Sequence, residues 1–461
     1  MISATANWLT EAAKLAKKPI HLFEITGYSR SFATKDPGFG TFDAWITEVA
    51  PVRQSADELS GTSTLNDLVV TVLDVGQAIT GDFPFVFQGR DCTLKTGFVG
   101  LAQADYALMH TYVVDRVESV KNNTAWKFIC KPQIRLVKKT IFKTGDNGGP
   151  TGSDDPKTFS GNPMDLLNTT ILQGEVGLAA GDIDVATINS YRDLVFPGVK
   201  FNFSIEKAPE AKAFIEKELL APLGLYALTL ADGKFSIRGF LPLPGTIVSQ
   251  FSFSQDNVET LPTPAEAELI NVVVHRFDHN GDKFAVGNVE IEAASETKFN
   301  QQGSHIIESL GMKSALQGFG LARLVAQGIF NRFADKNLTM KSLTAHWNEA
   351  ALLEIGDFVK LSHPFVPNRV TGALGITDQF FVVTKVNRVY MKGQVKISLD
   401  DAAQVELGGG IDPAGLGPFK IAPNTVPEWT LATQPQKDAY MFVGDKTTGK
   451  YSDAVDAHPL A

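Results

Sequence analysis

Cysteine is nearly absent from this chain, with only Cys92 and Cys130 among 461 residues. A cysteine-only zinc or iron–sulfur centre needs more thiolates than that, and so sparse a count does not make a disulfide scaffold. Long apolar runs are missing too: no uninterrupted stretch approaches the roughly 20 residues of a membrane-spanning helix. Positive charge is not in excess. Lys+Arg number 42 against 51 Asp+Glu, for a net charge of −9, and no basic run marks a nucleic-acid-binding face. The opening MISATANWLTEAAKLAKKPIHLFEI lacks a basic stretch ahead of an apolar core, so the expectation is no secretory signal and folding in a cytoplasm.

Catalytic signatures are equally sparse. The eight histidines are scattered, with no HExxH pair, and neither a GxSxG elbow nor a GxxxxGK[ST] loop occurs. No two carboxylates stand out as a glycosidase pair. Asp278-His279-Asn280-Gly281-Asp282 begins like a calcium loop, but the glycine and glutamate needed at its sixth and twelfth positions are Lys283 and Val289. Asn280-Gly281 instead reads as a hairpin turn. Trp45, Trp126 and Trp347 with several phenylalanines offer a sugar-stacking platform as the alternative to plain packing. The residues therefore lead to an expectation of no enzyme, with no catalytic, cofactor-binding or metal-binding residue.

What is present is glycine, proline and phenylalanine, at 40, 23 and 31 residues, which favours turns and β-rich packing. More telling is a segment that occurs twice. Tyr112–Cys130 reads YVVDRVESVKNNTAWKFIC and Phe381–Leu399 reads FVVTKVNRVYMKGQVKISL, aligned without a gap at an offset of 269 residues. Val113, Val114, Val117, Val120 and Lys127 recur as Val382, Val383, Val386, Val389 and Lys396. The spacing of Val114, Val117 and Val120 breaks the period of two. A β-bulge explains this; a helix is the competing reading, and the β-branched content favours strand. With a two-residue gap the match extends upstream, setting GRDCTL from Gly89 on GDFVKL from Gly356. Cys92 then aligns with Val359, Cys130 with Leu399 and Trp126 with Val395, which makes all three core positions.

The chain divides, on this reading, into a helical N-terminal arm (1–18), a first β-barrel (19–145), a Gly/Asp/Pro linker (146–161), an α/β insert (162–245), a β segment with a connecting helix (246–335), strands completing a second β-barrel (336–405) and a Gly/Pro-rich tail (406–461). The expected fold class is α+β, mainly β. In the insert, Asn162 caps a helix with Pro163 at its first position. Ala231-Asp232-Gly233 turns a hairpin. A helix over about 312–333 carries Leu321, Leu324, Val325, Ile329 and Phe330 on one face.

The succession LSGTSTLNDLVVTVLD, QGRDCTLKTGF, YVVDRVESVKNNTAWKFIC, NPMDLLNTTIL, IEKELLAPLGLYALTLADGKFSIRGFLPLPG and EIGDFVKLSHPF resembles the baseplate hub or tail tip proteins of bacteriophages with long non-contractile tails and of related gene-transfer particles. The resemblance covers roughly residues 20 to 405. It implies a virion protein assembled in the host cytoplasm: a homotrimeric symmetry adaptor whose paired β-barrels give six near-equivalent units beneath a sixfold tube. It also implies partners, namely a distal tail or tail tube protein, central tip or fibre proteins and a tape-measure protein. DNA would pass through the lumen without specific binding, and there would be no stable membrane insertion. Some relatives bind an iron–sulfur cluster through cysteines, which two cysteines at core positions do not support here. A receptor- or glycan-binding tail protein and a cell-wall hydrolase are the alternatives.

Overall fold

The computed structural model describes residues 1–402 apart from 15–17, 58, 83–84, 121–123, 133–138, 143–156, 206, 244–248, 262–263, 317, 336–337 and 369–370, and beyond them only short strands between 442 and 459. Most of the expected linker, the residues 121–123 within the first copy of the repeat and nearly all of the tail lie outside the described residues.

Two large sheets dominate a mainly β molecule. Sheet one is built on β1 (Leu68–Leu73), β2 (Asp91–Gly97), β3 (Ala107–Val120) and β4 (Ala125–Pro132); sheet two on β5 (Leu338–His346), β6 (Phe358–Pro367), β7 (Leu374–Val389) and β8 (Gln394–Asp401). The spatial order is β2-β3-β4-β1 in one and β6-β7-β8-β5 in the other, so the chain visits both in the same sequence. An outer strand lies antiparallel on each of β1 and β5: Ile46–Val49 in sheet one and Val258–Thr260 in sheet two. At the opposite edges the sheets differ. Ile20–Ile25 runs antiparallel to β2, whereas Phe251–Phe253 runs parallel to β6. Neither ladder returns to its first strand among the described residues, so these are two open sheets; barrel closure is not part of the pairing.

Alternation buries one face of each sheet, and the two faces share a single core that runs from Ile2 through Cys130, takes in Phe253, and resumes from Leu338 to Leu399. Cys92 and Cys130 are free thiols buried in it. Cys92 sits opposite Tyr112 just as Val359 sits opposite Phe381.

A second core, from Ile141 to Ala334, belongs to the mixed segment between the sheets. Asn162 caps its first helix by accepting the Met164 N–H at 2.9 Å. The linker expected to reach Gly161 ends sooner. Lys157–Gly161 is a strand on Phe201–Ile205, because Phe159 stacks against Phe142 and Phe203. The long helix begins at Gly318, later than the periodicity suggests. The Met312 carbonyl is instead taken by the Asp278 N–H at 3.1 Å.

Candidate functional site

The duplicated hairpin is the feature the sequence singles out, and the backbone reproduces it in detail. In the β3/β4 ladder Ile129 faces Arg116, the next pair is Cys130 with Val114, and Asp115 is passed over. In β7/β8 Ser398 faces Lys385, the next pair is Leu399 with Val383, and Thr384 is passed over. Asp115 and Thr384 are the same position at the 269-residue offset. Both hairpins thus bulge at one residue, which accounts for the step from Val114 to Val117, while the ladder runs without a shift from Val117 to Val120. Upstream, the Gly89 N–H donates to the Val114 carbonyl at 2.8 Å and the Val114 N–H to the Arg90 carbonyl at 2.9 Å. The Gly356 N–H donates to the Val383 carbonyl at 2.7 Å and the Val383 N–H to the Asp357 carbonyl at 2.9 Å. The two glycines have φ of 79° and 83°, a left-handed conformation that glycine adopts without a Cβ penalty. Even the outer strands share an irregularity: Thr47 is skipped between Ile46 and Glu48, and Glu259 between Val258 and Thr260.

One strand joins the sheets. After Ile46–Val49 the chain leaves sheet one as the hairpin Val52–Asp57/Thr62–Leu65, and Val52–Ser55 pair with Arg388–Lys385 of β7. Gln54 is buried at this crossing and donates from Nε2 to the Thr229 carbonyl of the insert at 3.1 Å. The hairpin therefore touches all three parts of the molecule.

Between the sheets lies a buried aromatic and polar seam. His21 Nε2 is 3.1 Å from the Tyr390 carbonyl and Nδ1 is 3.0 Å from Thr96 Oγ1. A carbonyl only accepts, so Nε2 carries the proton and Nδ1 accepts from the threonine. Burial lowers the His21 pKa to about 4, against the raising effect of the Tyr390 carbonyl. Trp347 and Tyr390 rings lie 5.5 and 5.0 Å from the imidazole. Arg388, 1% exposed, donates to the carbonyls of Ala351 (2.8 Å) and Leu353 (2.6 Å). Burial pushes the Glu354 pKa up, opposed in part by Arg388 and Arg238. The His21 contact with the Tyr390 carbonyl links the two sheets, and the Arg388 hydrogen bonds run to backbone.

The other sequence candidates are dispersed. Asn280 Oδ1 accepts from the Asp282 and Lys283 N–H groups, and Asp278 Oδ1 from the Ser314 N–H. Those oxygens thus serve the turn between Val272–His279 and Phe284–Ile291. Trp45 is half-buried, with the Arg30 guanidinium 5.8 Å from its ring centre. Trp126 Nε1 donates to Asp74 Oδ2 at 3.0 Å. A surface groove of about 480 Å³ between 36–39 and 99–102 has Asp36 as its one ionisable lining residue. An internal cavity of about 20 Å³ beside Tyr226 and Arg238 has room for about one water. No local cue marks the crossing hairpin or the seam in the sequence, because both depend on pairings more than 300 residues apart in the chain.

No protein-family model and no curated protein matches the chain. Among solved structures it is similar to a tail protein from Neisseria meningitidis MC58, at 11% identity and a TM-score of 0.44, over 83% of this chain and 97% of that one. It is similar to the 43 kDa tail protein of prophage MuSo2 from Shewanella oneidensis, at 12% identity and 0.44, over 84% and 99%. It is also similar to the prophage tail protein gp18 from Listeria monocytogenes EGD-e, at 8% identity and 0.45, over 82% and 94%. All three of these structures are tail proteins.

Proposed function

We propose that this chain is a structural, non-enzymatic hub of a phage tail tip. Three copies form a ring in which six similar sheet units meet a sixfold tube or distal tail protein, while the threefold arrangement presents itself to a central tip or fibre. The ring is part of the wall of the DNA conduit and contacts the tape-measure protein before DNA passes.

The observation that carries this reading is the duplicated sheet. Three copies of a chain offer six near-equivalent docking surfaces only if each copy holds two units of the same backbone shape, and closed symmetry is the ordinary outcome for such assemblies. The two sheets share strand order, the bulge at Asp115 and Thr384, and the glycine contacts at Gly89 and Gly356. Backbone shape is thus retained where few side chains are.

Mass photometry of the purified chain, alone and with its tube protein, tests the proposal. The expected particle has three times the 49.9 kDa mass of one chain. A strict monomer that binds or cleaves glycans would overturn it in favour of a receptor-binding protein or a cell-wall hydrolase.

A further inference from the structure

The two sheets share the order of their four central strands, yet one strand edge is covered and its counterpart is open. In sheet two, Lys385, Val386 and Asn387 pair with β8 on one side and with Ser55, Gln54 and Arg53 of the crossing hairpin on the other. Their counterparts in sheet one are Arg116, Val117 and Glu118. These pair with β4 on one side, and among the described residues no strand pairs with them on the other. Burial follows the same division. Val386 is fully buried, whereas Val117 is half-buried, and the Arg116 and Glu118 side chains are 54% and 44% exposed. An uncovered strand edge is a template for another chain.

We infer that the β3 edge at Arg116–Glu118 takes an added strand from a second copy of this chain. This rests on the ring reading above and names one contact within it. The precedent lies inside the molecule. The excursion that follows the outer strand of sheet one covers the β7 edge of sheet two. The matching excursion, after the outer strand Val258–Thr260 of sheet two, occupies residues 261–337. It does not return to β3 of its own chain among the described residues. It holds a three-stranded sheet whose edge strand, Phe284–Ile291, pairs among the described residues with Val272–His279 alone and exposes Val289 and Ile291 by 53% and 51%. In a ring, repeating the within-chain contact between neighbours brings that excursion to the next copy's β3. Every sheet then has its edge covered, once in cis and once in trans. The occupant is a second copy because the excursion 261–337 is the counterpart, after the matching outer strand, of the hairpin this chain already places on the β7 edge.

Hydrogen–deuterium exchange on the full chain, dilute and assembled, tests the inference. In the assembled sample, amides of 113–120 should exchange at least tenfold more slowly than in the dilute monomer. Val117→Asp should raise the concentration for half-assembly at least tenfold, since it puts a carboxylate where Val386 is fully buried. Equal exchange of 113–120 in monomer and trimer would overturn this contact and leave the hub reading standing. A chain that stays monomeric at every concentration would overturn both. If Val117→Asp does not fold, the exchange experiment on the unsubstituted chain decides alone.

Discussion

His21 is the residue on which the seam turns, and its chemistry makes a pH prediction. Both ring nitrogens are engaged, one by a carbonyl and one by a hydroxyl, and full burial disfavours the charged ring. Burial depresses its pKa from 6.5 to about 4. The unfolded chain then binds a proton that the folded chain refuses throughout that window. Its contribution is present above pH 6.5, is lost as pH falls towards 4, and saturates below. The depression corresponds to at most about 3 kcal/mol. His110 and His275, also buried, shift in the same direction through desolvation. The stability difference between the native chain and His21→Gln should therefore shrink as urea unfolding is moved from pH 7.5 to 4.5. A difference that stays constant would mean that His21 titrates alike in both states, and one that grows would mean that its pKa is raised in the fold.

At the scale of elements, the two glycines at matching repeat positions separate backbone strain from crowding. A Cβ added at Gly89 would meet open space, whereas at Gly356 it would lie 2.7 Å from the Tyr226 hydroxyl and 3.2 Å from Arg238. Tyr226 is buried and cannot swing clear. Gly89→Ala should cost only the left-handed backbone penalty, about 1–2 kcal/mol. Gly356→Ala should cost that plus overpacking, about 3 kcal/mol or more in all. Chemical denaturation of the two variants checks the order, and equal losses would show that the insert does not press on this turn. The bulged hairpins themselves are legible in the sequence, because Val114 and Val117 cannot share a face unless one residue between them is extra. The strand Lys157–Gly161 is not. Its only apolar side chain, Phe159, gains its partners Phe142 and Phe203 through the fold, and the glycine- and aspartate-rich run before it reads as loop. The crossing hairpin is hidden for a similar reason: Val52–Ser55 carry no local mark of a partner at Lys385–Arg388.

For the whole molecule, the distribution of the cores fixes which parts can stand alone. Sheet one and sheet two share one core, so neither owns a complete apolar interior. A fragment of residues 1–132 would lose the Tyr390 carbonyl opposite His21, the Trp347 and Tyr390 rings, and β7 as partner of the crossing hairpin. The segment 139–335 instead keeps nearly all of its own core, from Ile141 to Ala334. What it gives up is the small cluster in which Tyr226 and Leu228 meet Ile355, the packing of Leu59, and the pairing of Phe251–Phe253, Val258–Thr260 and Ala265–Glu266 with sheet two. A domain folds by itself when it has its own core. The insert fragment should accordingly melt in one cooperative transition by circular dichroism, while 1–132 should show none. Co-expressing 1–132 with 336–461 and the insert should restore the transition of the sheets. A cooperative melt of 1–132 alone would mean that sheet one is self-sufficient. The two sheets would then be separate beads, not the single coupled pair that repeats around the proposed ring.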